Sequence, residues 1–412
     1  MLPGDSRTGR REGVMSVVKA WSLWLAGLVT VCVLGASLAS GQTGTAAPPA
    51  APPAPRPQLS EQAFKDIEEL RGIPVKEFME TMGFFAASLS LNCTDCHGEA
   101  SGSSWARYAD DTPLKTTTRR MIRMVNAINK TNFGGARVIT CYTCHRGSQR
   151  PKFTPSLALQ YSAPPDEDPD EIEPLAPGAA RITITAEQIL DRYIQAIGGA
   201  GAAAKLTSYT AKGTYEGFDS DFQQVTADLY ARAPDMRATV VHMGAGDNIT
   251  AYNGRDGWQA GPADLTPVPL MALVGPSLEG ARLDAQLAFP GQIKQLLTDW
   301  RTGFPRLTID GSPVDVIEGR TPSRSRVKLY FDQKTGFLVR SVRYSTTAVG
   351  TVPITVVYSD YRDVPGVGVK LPYKWEVIWT NGRGTFNVTA LQPNAAIDAA
   401  RFGRPTPPAL RP

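Results

Sequence analysis

Two pentapeptides hold most of the reactive side chains of this chain: Cys93-Thr94-Asp95-Cys96-His97 and Cys141-Tyr142-Thr143-Cys144-His145. The 412 residues include five cysteines and three histidines, so four of the former and two of the latter sit in this one repeated pattern, CxxCH. In an exported protein the pattern is the attachment signal for c-type haem. The two thiols add to the haem vinyl groups, and the adjacent histidine is placed to bind the iron on one side. Structural zinc takes four Cys or His ligands, which two CxxCH units could supply only by pairing across the domain. A CxxC disulfide would leave the repeated histidine unexplained. The pattern therefore predicts two covalently bound haem c groups, on Cys93, Cys96, Cys141 and Cys144, with His97 and His145 as iron ligands.

The opposite axial ligand decides whether such an iron transfers electrons or binds substrate. The remaining histidine, His242, lies in another part of the chain, which leaves methionine. Val75, Phe78, Met79, Met82, Phe85 and Leu89 recur at helical spacing behind Pro74. A second helix is predicted with Thr112 as cap, Pro113 in its first turn and Gly134-Gly135 at its end. Its apolar positions are Leu114, Met121, Met124, Val125 and Ile128. Each half thus reads as a methionine helix, a loop, then CxxCH. Periodicity alone does not choose Met82 over Met79, or Met121 over Met124.

The stretches KEFMETMGFFAASLSLNCTDCHG and TTRRMIRMVNAINKTNFGGARVITCYTCHRGSQRPKF resemble the cytochrome c subunit of photosynthetic reaction centres. The resemblance runs from about Glu61 to Phe153, and RRM…TCYTCHRG is its most distinctive part. It implies Met82 and Met121 as distal ligands and His97 and His145 as proximal ones. It also implies partners: a membrane redox complex like the reaction centre, and a soluble electron carrier. Members of that family usually carry four haems in two pairs. This chain holds a single pair, so it resembles one half of the subunit.

These elements sit in an exported chain. Arg7, Arg10, Arg11 and Lys19 precede the apolar run Trp21 to Ala39, followed by small residues, as in a signal peptide. The nineteen residues, at about 1.5 Å each, would also nearly cross a bilayer, so residues 1–40 read as a cleaved leader or as an N-terminal membrane anchor. Met15 is a second possible start. A Pro/Ala-rich linker follows at 41–57, and an acidic, Pro-rich one at 151–180, with six acids between Asp166 and Glu173, expected to be a solvated tether. The linkers delimit a dihaem domain at 58–150 and a larger domain at 181–405, before a tail at 406–412. The location expected is the bacterial periplasm, free or held at the plasma membrane. A net charge of +4 is too small to suggest nucleic acid. Between Ser101 and Arg150 nine basic residues face only Asp110 and Asp111. Arg119, Arg120 and Arg146 are the candidates for haem propionates.

The fold class expected is an α, haem-packed cytochrome domain followed by a mainly antiparallel β (α+β, half-barrel-like) domain. Ala186 to Gly198 is one amphipathic helix, and strand-like runs dominate after it. VKLYFDQKTGFLVRSVRY reads as a hairpin with its loop at Asp332 to Gly336, and Ser277–Leu287 and Pro290–Asp299 as further helices. The order resembles the lipoprotein-carrier half-barrel of periplasmic lipid-binding proteins, which implies an apolar surface for a hydrophobic ligand. No catalytic constellation is visible, and His242 reads as structural. The function expected is single-electron transfer, not enzyme catalysis. The alternative is a lipid- or hydrophobic-ligand-binding protein with an accessory haem domain. A dihaem peroxidase would need an open iron position, against which the methionine helices speak.

Overall fold

The computed structural model describes residues 55–160, 162, 168–175, 184–263 and 266–407. The expected leader or anchor and most of the Pro/Ala-rich spacer lie outside them. All described residues fall within one compact unit, Pro53–Pro412. Among them no helix is long and apolar enough to cross a membrane.

The first part is helical: α1 (Ser60–Ala63), α2 (Val75–Leu89), α3 (Cys93–His97), α4 (Pro113–Asn132), α5 (Cys141–His145) and α6 (Leu157–Gln160). The predicted start signals operate locally. Thr112 Oγ1 accepts from Lys115 N at 3.2 Å, Pro113 occupies the first turn of α4, and Gly134 and Gly135 take positive φ just beyond its end.

The second part begins with α7 (Ala186–Ala196) and α8 (Ala200–Ala203) and is otherwise a sheet with one long helix, α9 (Gly275–Leu287). Its first meander is β1 (Ser208–Gly217), β2 (Val225–Arg232), β3 (Met236–Met243), β4 (Gly246–Asn253), β5 (Gly257–Ala260) and β6 (Leu270–Leu273). After α9 come β7 (Thr298–Arg301), β8 (Leu307–Ile309), β9 (Ser312–Arg320), β10 (Arg326–Asp332), β11 (Leu338–Thr346), β12 (Thr351–Asp363), β13 (Lys370–Trp379) and β14 (Gly382–Pro393). They form one open antiparallel sheet in the order β6-β5-β4-β3-β2-β1-β14-β13-β12-β11-β10-β9-β7, with β8 also on β9. The β1–β14 pair joins two meanders, so the sheet's first and last strands meet in its middle. The predicted hairpin is β10–β11: Asp332 Oδ1 accepts from Lys334 N and Thr335 N, and Gly336 has φ +77°. The helix expected at Pro290–Asp299 is only a short 3₁₀ turn, Pro290–Gln295, and the chain then enters β7.

The main core lies between one sheet face and α7 to α9. Ile189, Leu190, Tyr193 and Ile197 pack on Leu329, Phe331 and Val369. Each such burial is worth about 1.5–3 kcal/mol.

The opposite face of β10–β12 is covered by residues 168–175, part of the expected solvated tether. Those residues are not a free tether, although Asp168, Glu171, Glu173 and Leu175 stay exposed. Lys328 Nζ donates to the carbonyls of Asp170 and Ile172, and Tyr330 Oη donates to Pro169 O. Arg340 and Thr355 hold the Asp170 carboxylate at 3.0 and 2.6 Å, and Arg326 pairs with Glu173. Ile172 is buried beneath this strap. Strand alternation puts Lys328 and Tyr330 opposite Leu329 and Phe331, so β10 is buried on both faces. The acids of the run are thus partly consumed by cations more than 150 residues away.

The helical part docks on the sheet through α2. Glu80 accepts from Ser277 Oγ, in the first turn of α9, at 2.9 Å and from Ser345 Oγ, on β11, at 3.0 Å. A Cβ on Gly83 would stand 2.9 Å from the side chains of Asn381 and Thr380, so glycine here allows a close approach to the β13–β14 turn. The tip of the β11–β12 hairpin inserts Val349 and Val352 into one apolar cluster with Leu70, Phe84, Ile122 and Cys141. Arg137 donates to Thr347 O on the same hairpin.

Candidate functional site

Both CxxCH segments form one helical turn, and each is fixed by a capping box. Asn92 Oδ1 accepts from Asp95 N at 2.9 Å while Asp95 Oδ2 accepts from Asn92 N at 2.7 Å. Thr140 and Thr143 repeat the exchange at 3.3 and 3.1 Å. The turn places both cysteines on one side, three residues apart, with the histidine following at once.

The two histidines are held in the same way. His97 Nδ1 lies 2.9 Å from Tyr108 O, and His145 Nδ1 lies 3.0 Å from Ser148 O. A carbonyl only accepts, so Nδ1 carries the proton in both rings and Nε2 keeps its lone pair. Among the described residues neither Nε2 has a hydrogen-bond partner. Burial pushes His97 below the ordinary histidine range, which keeps it neutral, as a metal ligand must be. This backbone fixing of tautomer was not visible in the sequence, because the acceptors are main-chain atoms.

The four cysteines of the two turns are free thiols, so neither CxxC is a disulfide. Burial raises Cys96 and pushes Cys141 up to about 11. Among the described residues no three His, Cys, Asp or Glu side chains are grouped to hold a metal ion, so the two turns do not combine into a four-ligand zinc site.

Each turn abuts the methionine helix of the other half. The C-terminus of α2 meets the end of α5: Ser90 Oγ donates to Gly147 O at 2.7 Å, and Gly147 N to Ser88 O at 3.0 Å. The N-terminus of α4 meets α3, where Thr112 Oγ1 donates to Cys96 O at 2.5 Å. Asn129, buried in α4, ties the loop before α5 by hydrogen bonds with Ile139 and Val138. Met82 packs with Phe78 and Phe85 on the cluster containing Cys141; Met79 and Met121 are half-buried, and Met124 is exposed.

The surroundings suit a large apolar planar group. Trp105, Met124, Phe133, Val138 and Tyr142 of the helical part are 39–52% exposed, and few residues of that part are buried. Of the propionate candidates, Arg119 is already committed: it pairs with Asp66 and Asp111 at 2.6 Å and Glu68 at 3.2 Å. Its charge is spent within the protein, which corrects that expectation. Arg120 and Arg146 are exposed and make no ion pair among the described residues. Lys115 and Arg123 likewise meet Asp66 and Glu69, so acids from 66–69 neutralise part of the expected basic face.

His242 stands apart on β3, between Asp247 Oδ1 at 2.9 Å and Asp228 Oδ2 at 3.2 Å, with both ring nitrogens engaged. It is not available as an iron ligand.

These features define a helical lobe with two capped CxxCH turns, joined to an open antiparallel sheet. Residues 29–162 match the family model described as photosynthetic reaction centre cytochrome C subunit. The chain is 35% identical over 102 residues to the photosynthetic reaction center cytochrome c subunit of Thermochromatium tepidum, covering 24% of each chain. It is 31% identical over 130 residues to that of Rubrivivax gelatinosus, covering 30% of this chain and 33% of the relative. The chain thus spans between a quarter and a third of these relatives. Solved structures similar to it include a LolA superfamily protein from Nitrosomonas europaea, 15% identical, TM-score 0.36, covering 53% of this chain and 98% of that one. An outer membrane lipoprotein-sorting protein domain from Vibrio parahaemolyticus is 11% identical, TM-score 0.34, covering 52% and 94%.

Proposed function

We propose that the protein is a dihaem c-type cytochrome that passes single electrons. The observation that carries this reading is the paired state of His97 and His145, each with Nδ1 tied to a backbone carbonyl and Nε2 left with its lone pair, next in sequence to a pair of free thiols. Cys93 and Cys96 would hold one haem, and Cys141 and Cys144 the other. Each haem would supply an Fe(III)/Fe(II) couple. His97 and His145 would bind the two irons.

The packing of α2 on α5 and of α4 on α3 keeps each methionine helix beside the turn of the other half. Met82 on α2 and Met121 on α4 would be the further iron ligands, the choice that the family resemblance implies. Thioether ligation would keep the potential above that of a bis-histidine pair and leave no open iron position for peroxide. Arg120 and Arg146 remain for propionates. In this reading the protein is periplasmic, free or anchored, and takes electrons from a soluble carrier to a reaction-centre-like membrane complex, or the reverse. It is an electron carrier, not an enzyme.

The test is expression with haem-maturation machinery, then a pyridine haemochrome assay and a redox-poised visible spectrum. Two covalent haems per chain are expected, both low-spin, with the far-red Met–Fe(III) charge-transfer band. That band should fall by about half in Met82→Ala and in Met121→Ala, and vanish in the double variant. One haem per chain, or a high-spin iron in the parent protein, would overturn the assignment.

A further inference from the structure

The two CxxCH turns share their cap, their thiols and their histidine tautomer, but the carbonyls that hold the two histidines differ. Ser148 O, three residues beyond His145, accepts from that ring at 3.0 Å. Among the described residues no cation bonds this oxygen, and no aromatic ring lies against His145. Tyr108 O, eleven residues beyond His97, accepts from Nδ1 at 2.9 Å and also from Lys115 Nζ at 3.3 Å. One oxygen is thus shared by the ring and an ammonium.

Lys115 is held in that place from several sides. It stands in the first turn of α4, where Thr112 caps its backbone N–H. Its side chain is 13% exposed and pairs with Asp66 at 3.1 Å. It closes the 3₁₀ turn Trp105–Ala109 by donating also to Ala109 O at 3.0 Å and Asp110 O at 2.8 Å. The Tyr108 ring lies against His97, with centroids 4.8 Å apart, and Trp105 lies against Tyr108 at 5.1 Å. Trp105 Nε1 donates to Ala263 O, beyond β5, at 3.2 Å, so the stack is anchored on the sheet part.

A strong acceptor on Nδ1–H makes an imidazole a better donor through Nε2, which favours the more oxidised metal. An ammonium on the same carbonyl draws on that oxygen's electron density and weakens it as an acceptor for the ring. Its positive charge also disfavours Fe(III), which carries one charge more than Fe(II). Both effects raise the potential. Asp66 offsets part of the charge through the ion pair, but not the shared hydrogen bond.

We infer that Lys115 and Tyr108 are positioning residues that make the two sites unequal. Tyr108 fixes the plane of His97, and Lys115, through the shared carbonyl, raises the potential of an iron bound there. In the dihaem reading, on which this rests, the pair gives one of two similar sites its own redox poise.

The test is spectroelectrochemical titration of the haem-loaded full chain, with electron paramagnetic resonance of the oxidised state. Lys115→Met should lower one midpoint, changing the Fe(II)/Fe(III) ratio of that haem about threefold or more at a fixed solution potential, and leave the other in place. Lys115→Arg, which keeps the charge and the donors, should stay near the parent value. Lys130→Met removes an exposed cation of the same helix that makes no ion pair or hydrogen bond among the described residues, and should move neither midpoint. Tyr108→Leu keeps the carbonyl and removes the ring, and should shift the g values of one low-spin signal only. Should Lys115→Met load haem poorly, Lys115→Gln gives the same reading. Midpoints unmoved in both Lys115 variants that lack the charge, a rise in place of the fall, or an equal fall in Lys130→Met would overturn the role of Lys115. Unchanged g values in Tyr108→Leu would overturn that of Tyr108. A parent chain without two covalent haems would instead refute the dihaem function itself.

Discussion

Glu80 offers a sharp test of how the helical lobe is held to the sheet. Its carboxylate accepts from two serine hydroxyls of the sheet part, at 2.9 Å and 3.0 Å. The side chain is 13% exposed, and its neighbour Lys76 is at 4.0 Å, a contact too long to matter much. Hydrogen bonds to a charged group contribute about 1.5–3 kcal/mol each. Ser277 stands at the start of α9 and water can replace its partner, so its bond counts for less. Ser345 is 1% exposed, and its hydroxyl would be left unpaired in the interior. Glu80→Ala should therefore cost about 2–4 kcal/mol, and Glu80→Gln, which keeps an acceptor, about half as much. Urea unfolding of the haem-loaded full chain, followed by far-ultraviolet circular dichroism, measures the difference. A loss within about 0.5 kcal/mol for Glu80→Ala would show that this bridge does not hold the lobe. The reasoning would equally fail if Glu80→Gln were as destabilised as Glu80→Ala.

Three further outcomes are expected. His242 is held above the usual histidine range, chiefly by its hydrogen bond to Asp247 and then by Asp228. Its contribution is complete below the unfolded value near 6.5 and is lost as pH rises through the higher folded value. Urea midpoints between acid and mildly alkaline pH should accordingly decline more in the parent than in His242→Gln, and parallel profiles would contradict this. Gly350→Ala would bring a Cβ 2.5 Å from the Phe84 ring, so a cost of about 1–3 kcal/mol is expected in the same unfolding assay; an unchanged midpoint would deny the contact. Lys328→Ala removes the ammonium that ties residues 170 and 172 to β10. Limited proteolysis should then cut the strap roughly tenfold faster, and an unchanged rate would show that Asp170 alone retains it.

What could be read in the sequence was what is encoded locally. The CxxCH turns, the Pro74 and Thr112 helix starts and the Asp332–Gly336 hairpin loop each depend on residues within a few positions of one another. Arg119 was misjudged as a propionate partner because Asp66 lies 53 residues earlier, and only folding brings the two within 2.6 Å. The strap was hidden by its own composition: a run of acids reads as solvated unless its cations, on strands far along the chain, are known. Ala348 and Val349 carry no local signal of their role, yet they complete the apolar cluster around Phe84 and Cys141. Lys115 was equally silent, since its acceptors at residues 108–110 are main-chain atoms. The helix expected near Asp299 lost to sheet pairing, as β7 joins the edge at β9.

The strap has a bearing on how electrons would arrive. A haem lobe on a free tether can swing between donor and acceptor, and its turnover then depends on linker length. Here the tether is pinned to the outer face of the sheet at Asp170 and Glu173, while Glu80 and Arg137 secure the lobe at another point. The lobe has no arc to travel. If the lobe carries haem as proposed, redox partners would have to meet it in the orientation the sheet presents, and lengthening the linker would not quicken the exchange.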